Sequence, residues 1–261
     1  MFLRKLAFLI AFFILSSVSL GEPAEYEKGD KIKTDPWLLR PTQFLFSQLE
    51  VDFRIKQLKA LMTEDGKDAV VEFLKDHRGQ VVVGPNKQLW LVDGHHRARA
   101  LESLIKTDSR FKELPFYAKV IREWDELSPT EFEKAMKLGN KHGEVGEAPY
   151  VYLKDANGKT QSFKKLPKKL SSLKDFPYRG LAWMLKTEGL IEESEEIPLQ
   201  EFLVAEYLQK HIKLPAKMTP KAYKKAFQEA VRVIEESEEG DFPGYKKLSK
   251  SACARILRQI Q

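Results

Sequence analysis

A strand-to-helix junction near the middle of the chain is the feature that most limits its fold. Residues 80–83 are rich in β-branched valine, residues 84–87 have turn composition, and residues 89–92 are apolar, which predicts a hairpin. Asp93-Gly94 follows directly, and apolar residues between 98 and 105 then recur with helical spacing. The chain therefore has to reverse tightly between a hairpin and an amphipathic helix.

The first turn of that helix carries an unfavourable charge pattern. His95, His96 and Arg97 lie where cationic side chains oppose the helix dipole, at a cost of about 0.3–1 kcal/mol each. A bound phosphate would reverse this sign, because backbone N–H groups at a helix start bind anions. Gly94 has the freedom for a sharp reversal, and Asp93 is placed to cap the helix. The cluster therefore predicts an anion-binding site.

Structural explanations for the same residues stay open. Asp93 could be only a cap, Gly94 only a turn residue, and either histidine a packed core residue. Adjacent histidines on a helix point in different directions, and the i, i+4 spacing of helical zinc ligands is absent, so a structural zinc site is disfavoured. The sequence names no cofactor, and it leaves open a divalent metal ion held beside a phosphate.

The motif Asp93-Gly94-His95-His96-Arg97, after a hairpin and at a helix start, resembles the signature of the ParB/sulfiredoxin superfamily. Within that superfamily it is most similar to the branch of ParB-like nucleases. Further stretches resemble the same branch in the expected order, at residues 40–43, 177–183, 201–208 and 242–245. The branch usually has serine where this chain has Gly180.

The resemblance implies that the turn binds phosphate. In the superfamily the equivalent turn holds nucleotide phosphates, in CTP-binding partition proteins, ATP-using sulfiredoxins and a free-serine kinase. Arg97 and Gly94 are then expected to contact the phosphate with help from Arg179, unless Arg179 only pairs with a surface acid. Sulfiredoxin chemistry is excluded, because it needs a cysteine at this turn and the single cysteine is Cys253.

The N-terminus predicts a secreted or periplasmic protein. Residues 1–5 are positively charged, residues 6–15 are almost wholly apolar and residues 16–21 are mostly small, which is typical of a secretory signal peptide at residues 1–21. An uncleaved anchor is the alternative, although the apolar run is short for a spanning helix. After cleavage we expect no stable membrane association. This location argues against chromosome partitioning and against dependence on ATP or CTP.

The remaining chain is expected to form an α+β fold, with a small mixed sheet that carries the site and a mainly helical C-terminal half. A hydrophobic content of 43% suffices for such a core. We expect a flexible polar segment at 22–34, a ParB/sulfiredoxin-like core at 35–170 and a helical part of the same unit at 171–261. Outside the central junction, helices are predicted within 44–62, 68–75 and 130–138 and from Thr219-Pro220 onward, and a strand at 115–121.

Hydrolysis of a phosphodiester, as in a nuclease, is the leading functional hypothesis, because it needs only water and at most a metal ion. Arg97 and Arg179 would hold the phosphate and stabilise the transition state. His95 or His96 would act as general acid or base. Asp93 would orient a histidine or help to hold a divalent ion.

Two other function classes stay open, a phosphate- or nucleotide-binding module without turnover and a small-molecule kinase similar to the free-serine kinase. For the kinase, Glu50 could activate a hydroxyl, whereas Glu201 is expected to be an ordinary carboxylate on a helix surface. Loss of Arg4 and Lys5 with the signal lowers the formal net charge from +6 to +4, which permits nucleic acid or nucleotide as ligand. The sequence does not indicate the oligomeric state.

Overall fold

The structure, a computed structural model, describes residues 25–141, 148–193 and 199–245. These residues form seven strands and seven α-helices. The strands are β1 Lys31–Thr34, β2 Arg40–Pro41, β3 Leu45–Phe46, β4 Gly79–Gly84, β5 Gln88–Asp93, β6 Phe116–Glu123 and β7 Lys174–Asp175. The helices are α1 Gln48–Glu64, α2 Gly66–Asp76, α3 His95–Thr107, α4 Pro129–Leu138, α5 Pro177–Thr187, α6 Gln200–His211 and α7 Pro220–Glu236.

Five strands form one mixed sheet in the order β1-β6-β4-β5-β2. The predicted hairpin is its centre, with β4 antiparallel to β5 and Val82 opposite Trp90. β6 pairs parallel with β4 and antiparallel with β1, and β2 pairs parallel with β5. β3 and β7 form a separate parallel pair, with Phe46 opposite Asp175. Because these two strands lead directly into α1 and α5, their pairing places the two helix starts side by side.

The junction between β5 and α3 differs from the prediction in its cap. Gly94 is the N-cap residue, with a left-handed φ of 90°, and no side chain caps the helix. A Cβ atom at this position would lie 3.1 Å from the Cα atom of Gly79, so glycine also permits the close approach of β4. The expected cap by Asp93 is therefore wrong. Because the chain reverses at Gly94, the Asp93 side chain remains at the strand end and is 63% exposed.

The segment predicted as flexible at residues 22–34 contains an edge strand. β1 lies antiparallel to β6, with Lys31 opposite Lys119 and Thr34 opposite Phe116. Its side chains alternate between exposed and half-buried positions, as expected for a strand with one solvated face. The polar composition of this segment does not predict a strand. β1 forms because its main chain pairs with β6, and not because of a run of apolar residues.

Three clusters of buried apolar side chains form the core. The first fills the space between the sheet and helices α1–α3, around Leu101 and Phe116. The second lies among α5, α6 and α7, around Phe227. The third packs Trp90 against Phe132 of α4. The α3 start and the α5–α6 pair therefore belong to separate clusters, and the site described below lies between them.

The predicted α+β class and the mainly helical C-terminal half are confirmed. α7 begins as expected, since Pro220 is its first residue and the Thr219 hydroxyl accepts the Ala222 N–H. No helix in the described ranges is long and apolar enough to cross a membrane. The signal peptide predicted at residues 1–21 and Cys253 lie outside the described residues.

Candidate functional site

The β5–α3 junction forms one wall of a cavity of about 640 Å³. Side chains of α1, α5 and α6 form the other walls. The structure therefore brings together all six residues that the sequence predicted for the site, which are Asp93, Gly94, His95, His96, Arg97 and Arg179. The cavity walls also contain charged residues that the sequence had not placed at the site, which are Arg54, Lys186, Glu193 and Glu201. Glu50, suggested from the sequence only as the base of a kinase, lies there too.

Both histidines accept hydrogen bonds from the backbone of the segment before α1. The Nε2 atom of His96 accepts the Ser47 N–H at 2.9 Å, and the Nε2 atom of His95 accepts the Thr42 N–H at 3.3 Å. An imidazole nitrogen that accepts a hydrogen bond carries no proton, so in each neutral ring the proton lies on Nδ1. The two rings therefore attach residues 42–47 to the start of α3.

Burial keeps these histidines neutral. It lowers the pKa of His95 to about 3, with a further contribution from the neighbouring His96. Burial, followed by the charge of Arg179, lowers the pKa of His96 well below its usual value. General acid or base catalysis by either ring would require it to release its backbone donor. The contacts therefore favour a positioning role for both rings over the acid–base role expected from the sequence.

Glu50 is the carboxylate closest to the histidine pair. It lies on α1 and is only 7% exposed. Its Oε2 atom is 3.1 Å from His96 Nδ1 and 3.8 Å from Arg179 Nη1, and its Oε1 atom is 3.5 Å from Arg54 Nη2. Burial raises the pKa of Glu50, although the charges of Arg179 and Arg54 act in the opposite direction. The site thus contains a buried carboxyl group whose affinity for a proton is increased.

Arg179 connects α5 to α6 through a chain of charges. Its Nη2 atom pairs with Glu201, and the second carboxylate oxygen of Glu201 is 2.8 Å from Lys186 Nζ. Burial alone would raise the pKa of Glu201, but Arg179 and Lys186 lower it, so this group stays ionised. The Nε and Nη1 groups of Arg179 have no hydrogen-bond partner among the described residues. The alternative left open by the sequence was an ion pair with a surface acid, and the pair found here is buried inside the cavity wall.

Arg97 is held only weakly by its neighbours. Its Nη2 atom is 3.4 Å from the Arg78 carbonyl and 3.5 Å from the Asp93 carboxylate, and both distances are long for hydrogen bonds. The side chain is 18% exposed, and its Nε group has no hydrogen-bond partner in the described part of the chain. The guanidinium of Arg97 is therefore available to bind an anion from the cavity.

The sequence underestimated Glu50 and Glu201 for different reasons. Ser47 and Glu50 match the pattern of a capping box, in which the glutamate returns to the helix start. Ser47 does cap α1, but its own N–H is taken by His96, so the Glu50 side chain turns towards the arginines. In the sequence, Glu201 does not differ from other carboxylates on helix surfaces, and its position in the site results only from the packing of α5 beside α6. Only the three-dimensional contacts distinguish either residue.

The described residues contain no metal centre built from protein ligands alone. Within the described ranges, no three histidine, cysteine, aspartate or glutamate side chains are grouped so that they could hold a metal ion. A divalent ion at this site would therefore need ligand oxygens from a bound phosphate or from water in addition to an exposed carboxylate such as Asp93.

Comparison with known proteins agrees with this architecture. The family model described as "Putative ParB-like nuclease" matches residues 34–210. The chain belongs to this family. A crystal structure of protein Atu1540 from Agrobacterium tumefaciens is similar to the ParB-like chain, with a TM-score of 0.65 and 24% sequence identity over 84% of this chain and 100% of that chain. At this identity the likeness establishes a shared fold. No curated protein matches the chain.

Proposed function

We propose that this ParB-like protein binds a phosphate group in the cavity and hydrolyses phosphodiesters. One observation carries the proposal, the buried carboxyl group of Glu50 in a cavity that also contains Arg54, Arg97 and Arg179. Arg97 is only weakly paired, and Arg179 keeps two N–H groups without a hydrogen-bond partner among the described residues, so these guanidinium groups can bind a ligand with several negative oxygens. A carboxyl group with a raised pKa is suited to exchange a proton beside that ligand.

The phosphate would be held by Arg97 and by the first turn of α3. Backbone N–H groups at a helix start donate to phosphate oxygens, and the helix dipole adds a favourable interaction. The bound charge would also offset the unfavourable position of Arg97 in that turn. Arg179 would approach from α5 and stabilise charge that develops on the non-bridging oxygens.

Glu50 would act as the general base. It would accept a proton from a water molecule, whose oxygen attacks phosphorus while the bond to the leaving oxygen breaks. The leaving oxygen keeps the electron pair of that bond and takes a proton from solvent, so that an alcohol departs. His96 Nδ1 lies 3.1 Å from Glu50 Oε2, which has no hydrogen-bond partner among the described residues, and a small rotation of the carboxylate would let His96 donate to it. Ser47 would in turn hold the His96 ring. His95 and His96 would then be positioning residues, and the exposed Asp93 would be free to ligate a divalent ion that accompanies the phosphate.

The same carboxylate also supports a second candidate, transfer of a phosphoryl group to a small-molecule hydroxyl. Glu50 could remove the proton of an alcohol as readily as that of water. The two candidates differ in the donor, because the kinase would need a nucleoside triphosphate and the hydrolase would not. We also propose a site of action outside the cytoplasm, on the basis of residues 1–21, which cell fractionation would test.

The hydrolase is tested with purified protein, a chromogenic phosphodiester, DNA and RNA, each with and without Mg²⁺, Mn²⁺ or Ca²⁺. We expect Glu50→Gln to lower kcat by about 10²- to 10⁴-fold, the usual contribution of a general base. Glu64→Gln, at an exposed position of the same helix, is the matched control. Arg97→Ala should lower kcat/KM, with Arg232→Ala on the exposed face of α7 as control.

Unchanged hydrolysis in Glu50→Gln would refute the catalytic assignment. Turnover of ATP only when an alcohol is present would support the kinase instead. If inorganic phosphate binds to the wild type but not to Arg97→Ala, and no ester is turned over, the protein is a phosphate-binding module without catalytic activity.

A further inference from the structure

A second cavity of about 570 Å³ lies beside the first, 640 Å³ cavity in which we propose that phosphate binds. It lies between α1, α5 and the N-terminal end of α7. The two cavities share Trp183, which forms part of the wall of each. The Trp183 side chain therefore lies where the two cavities meet.

An aromatic pair lies at the boundary between the two cavities. The rings of Phe53 and Trp183 have centroids 5.1 Å apart and are tilted by 54°. Phe53 is 45% exposed and Trp183 is half-buried, and the guanidinium carbon of Arg54 lies over the Phe53 ring, 5.6 Å from its centroid. Both rings thus offer part of their surface to a ligand, and aromatic faces of this kind stack on planar groups.

The polar groups of the second cavity complement a planar ligand that has N–H donors and a charged chain. Asp52 and Asp175 offer carboxylate oxygens, and each already accepts one hydrogen bond from Gln48. Lys56 and Lys217 are exposed cations on the same cavity. The hydroxyl of Tyr223, another wall residue, has no hydrogen-bond partner among the described residues.

We propose that the second cavity binds a nucleobase of a single-stranded nucleic acid whose adjacent phosphate occupies the first cavity. The base would stack against Phe53 and Trp183, and its amino group would donate to Asp52. Lys56 and Lys217 would contact further phosphates of the strand. This inference rests on the proposed phosphate binding and narrows the substrate from any phosphodiester to single strands, since a base inside a duplex could not reach the cavity.

The test measures binding of short, fluorescein-labelled phosphorothioate oligo-dC, which resists hydrolysis, to the purified protein. Phe53→Ala should weaken binding about tenfold, as expected for the loss of one stacked base. Trp37→Ala, which removes an aromatic side chain that is also 45% exposed but lines neither cavity, should bind like the wild type. Inorganic phosphate should bind equally to all three proteins, because Phe53 does not line the first cavity.

Equal binding of oligo-dC to wild type and Phe53→Ala would overturn the base site, as would an equal loss in Trp37→Ala. A second variant, Asp52→Asn, should reduce the preference for oligo-dC over oligo-dT, because thymine lacks an exocyclic amino group. Absence of that preference in the wild type would contradict the assigned role of Asp52. The proposed function fails if inorganic phosphate does not bind, or if Arg97→Ala leaves its binding unchanged. The base site alone is refuted if phosphate binding depends on Arg97 but Phe53→Ala does not weaken the binding of oligo-dC.

Discussion

Acid should destabilise this protein through His95, and the structure gives the size of the effect. The unfolded ring has its ordinary pKa of 6.5, whereas burial in the folded state lowers the pKa to about 3. Between these values the unfolded chain binds more protons than the folded one, so stability is complete above pH 6.5 and is lost as the pH falls towards 3. At pH 5 the ring alone costs about 2 kcal/mol, from 1.5 pKa units at 1.36 kcal/mol each.

The measurement is urea unfolding at pH 7, 6 and 5 for the wild type and for His95→Gln. Glutamine can still accept the Thr42 N–H but cannot be protonated, so the variant should lose about 2 kcal/mol less than the wild type between pH 7 and pH 5. His77→Gln, at an exposed position, is the control and should follow the wild type. Glu50 acts in the opposite direction, because its raised pKa favours the folded state as the pH falls. The difference between the two proteins removes this contribution.

The same pH dependence in wild type and His95→Gln would refute the reasoning, because it would show that the His95 ring is not buried in its neutral form. A wild type whose stability is constant from pH 7 to pH 5 would refute the reasoning only if His95→Gln were constant as well. A variant that became more stable over that range would instead show that Glu50 masks the loss in the wild type. An equal pH dependence in the two proteins would also make His95 a candidate general acid or base again.

Two glycine substitutions test the shape of the site. Gly94→Ala should destabilise the protein by about 1–3 kcal/mol and weaken phosphate binding, because φ is 90° and the new Cβ would lie 3.2 Å from Arg97 Nη2. Thermal unfolding measures the first effect and phosphate titration the second. An unchanged Kd for phosphate would contradict the role of this turn. Gly180→Ser should cost about 1–3 kcal/mol by overpacking, since its Cβ would lie 2.7 Å from Ser47 Oγ. A more stable Gly180→Ser variant would show that α1 and α5 can separate without loss.

Much of the fold could be predicted from local sequence patterns. The valine-rich run, the turn and the following apolar run specify the β4–β5 hairpin within a few residues, and Thr219-Pro220 specifies the start of α7. The edge strand β1 could not be predicted in this way, because Lys31–Thr34 becomes a strand by pairing with β6 far along the chain. Likewise, the cap of α3 depends on how closely Gly79 approaches Gly94, which no local pattern records.

At the candidate site, too, local sequence predicted some features, whereas others depended on contacts between distant parts of the chain. The sequence alone singled out the motif of residues 93–97 at a strand-to-helix junction, because two histidines and an arginine in a first helical turn conflict with the helix dipole. It could not assign roles to these side chains, since the role of a histidine depends on what its two ring nitrogens contact.

Tertiary structure decided which groups meet and in which protonation state. α1 packs on α3, and α5 packs on both α1 and α6, which places Glu50, Arg179 and Glu201 in the walls of one cavity. The segment before α1 gives each histidine ring a backbone donor. Burial then raises the pKa of Glu50 and lowers that of His95. The sequence thus predicted where the candidate site lies, because that depends on neighbours along the chain. Only the fold determined the proton affinities of the groups there, because proton affinity depends on neighbours in space and on exclusion of water.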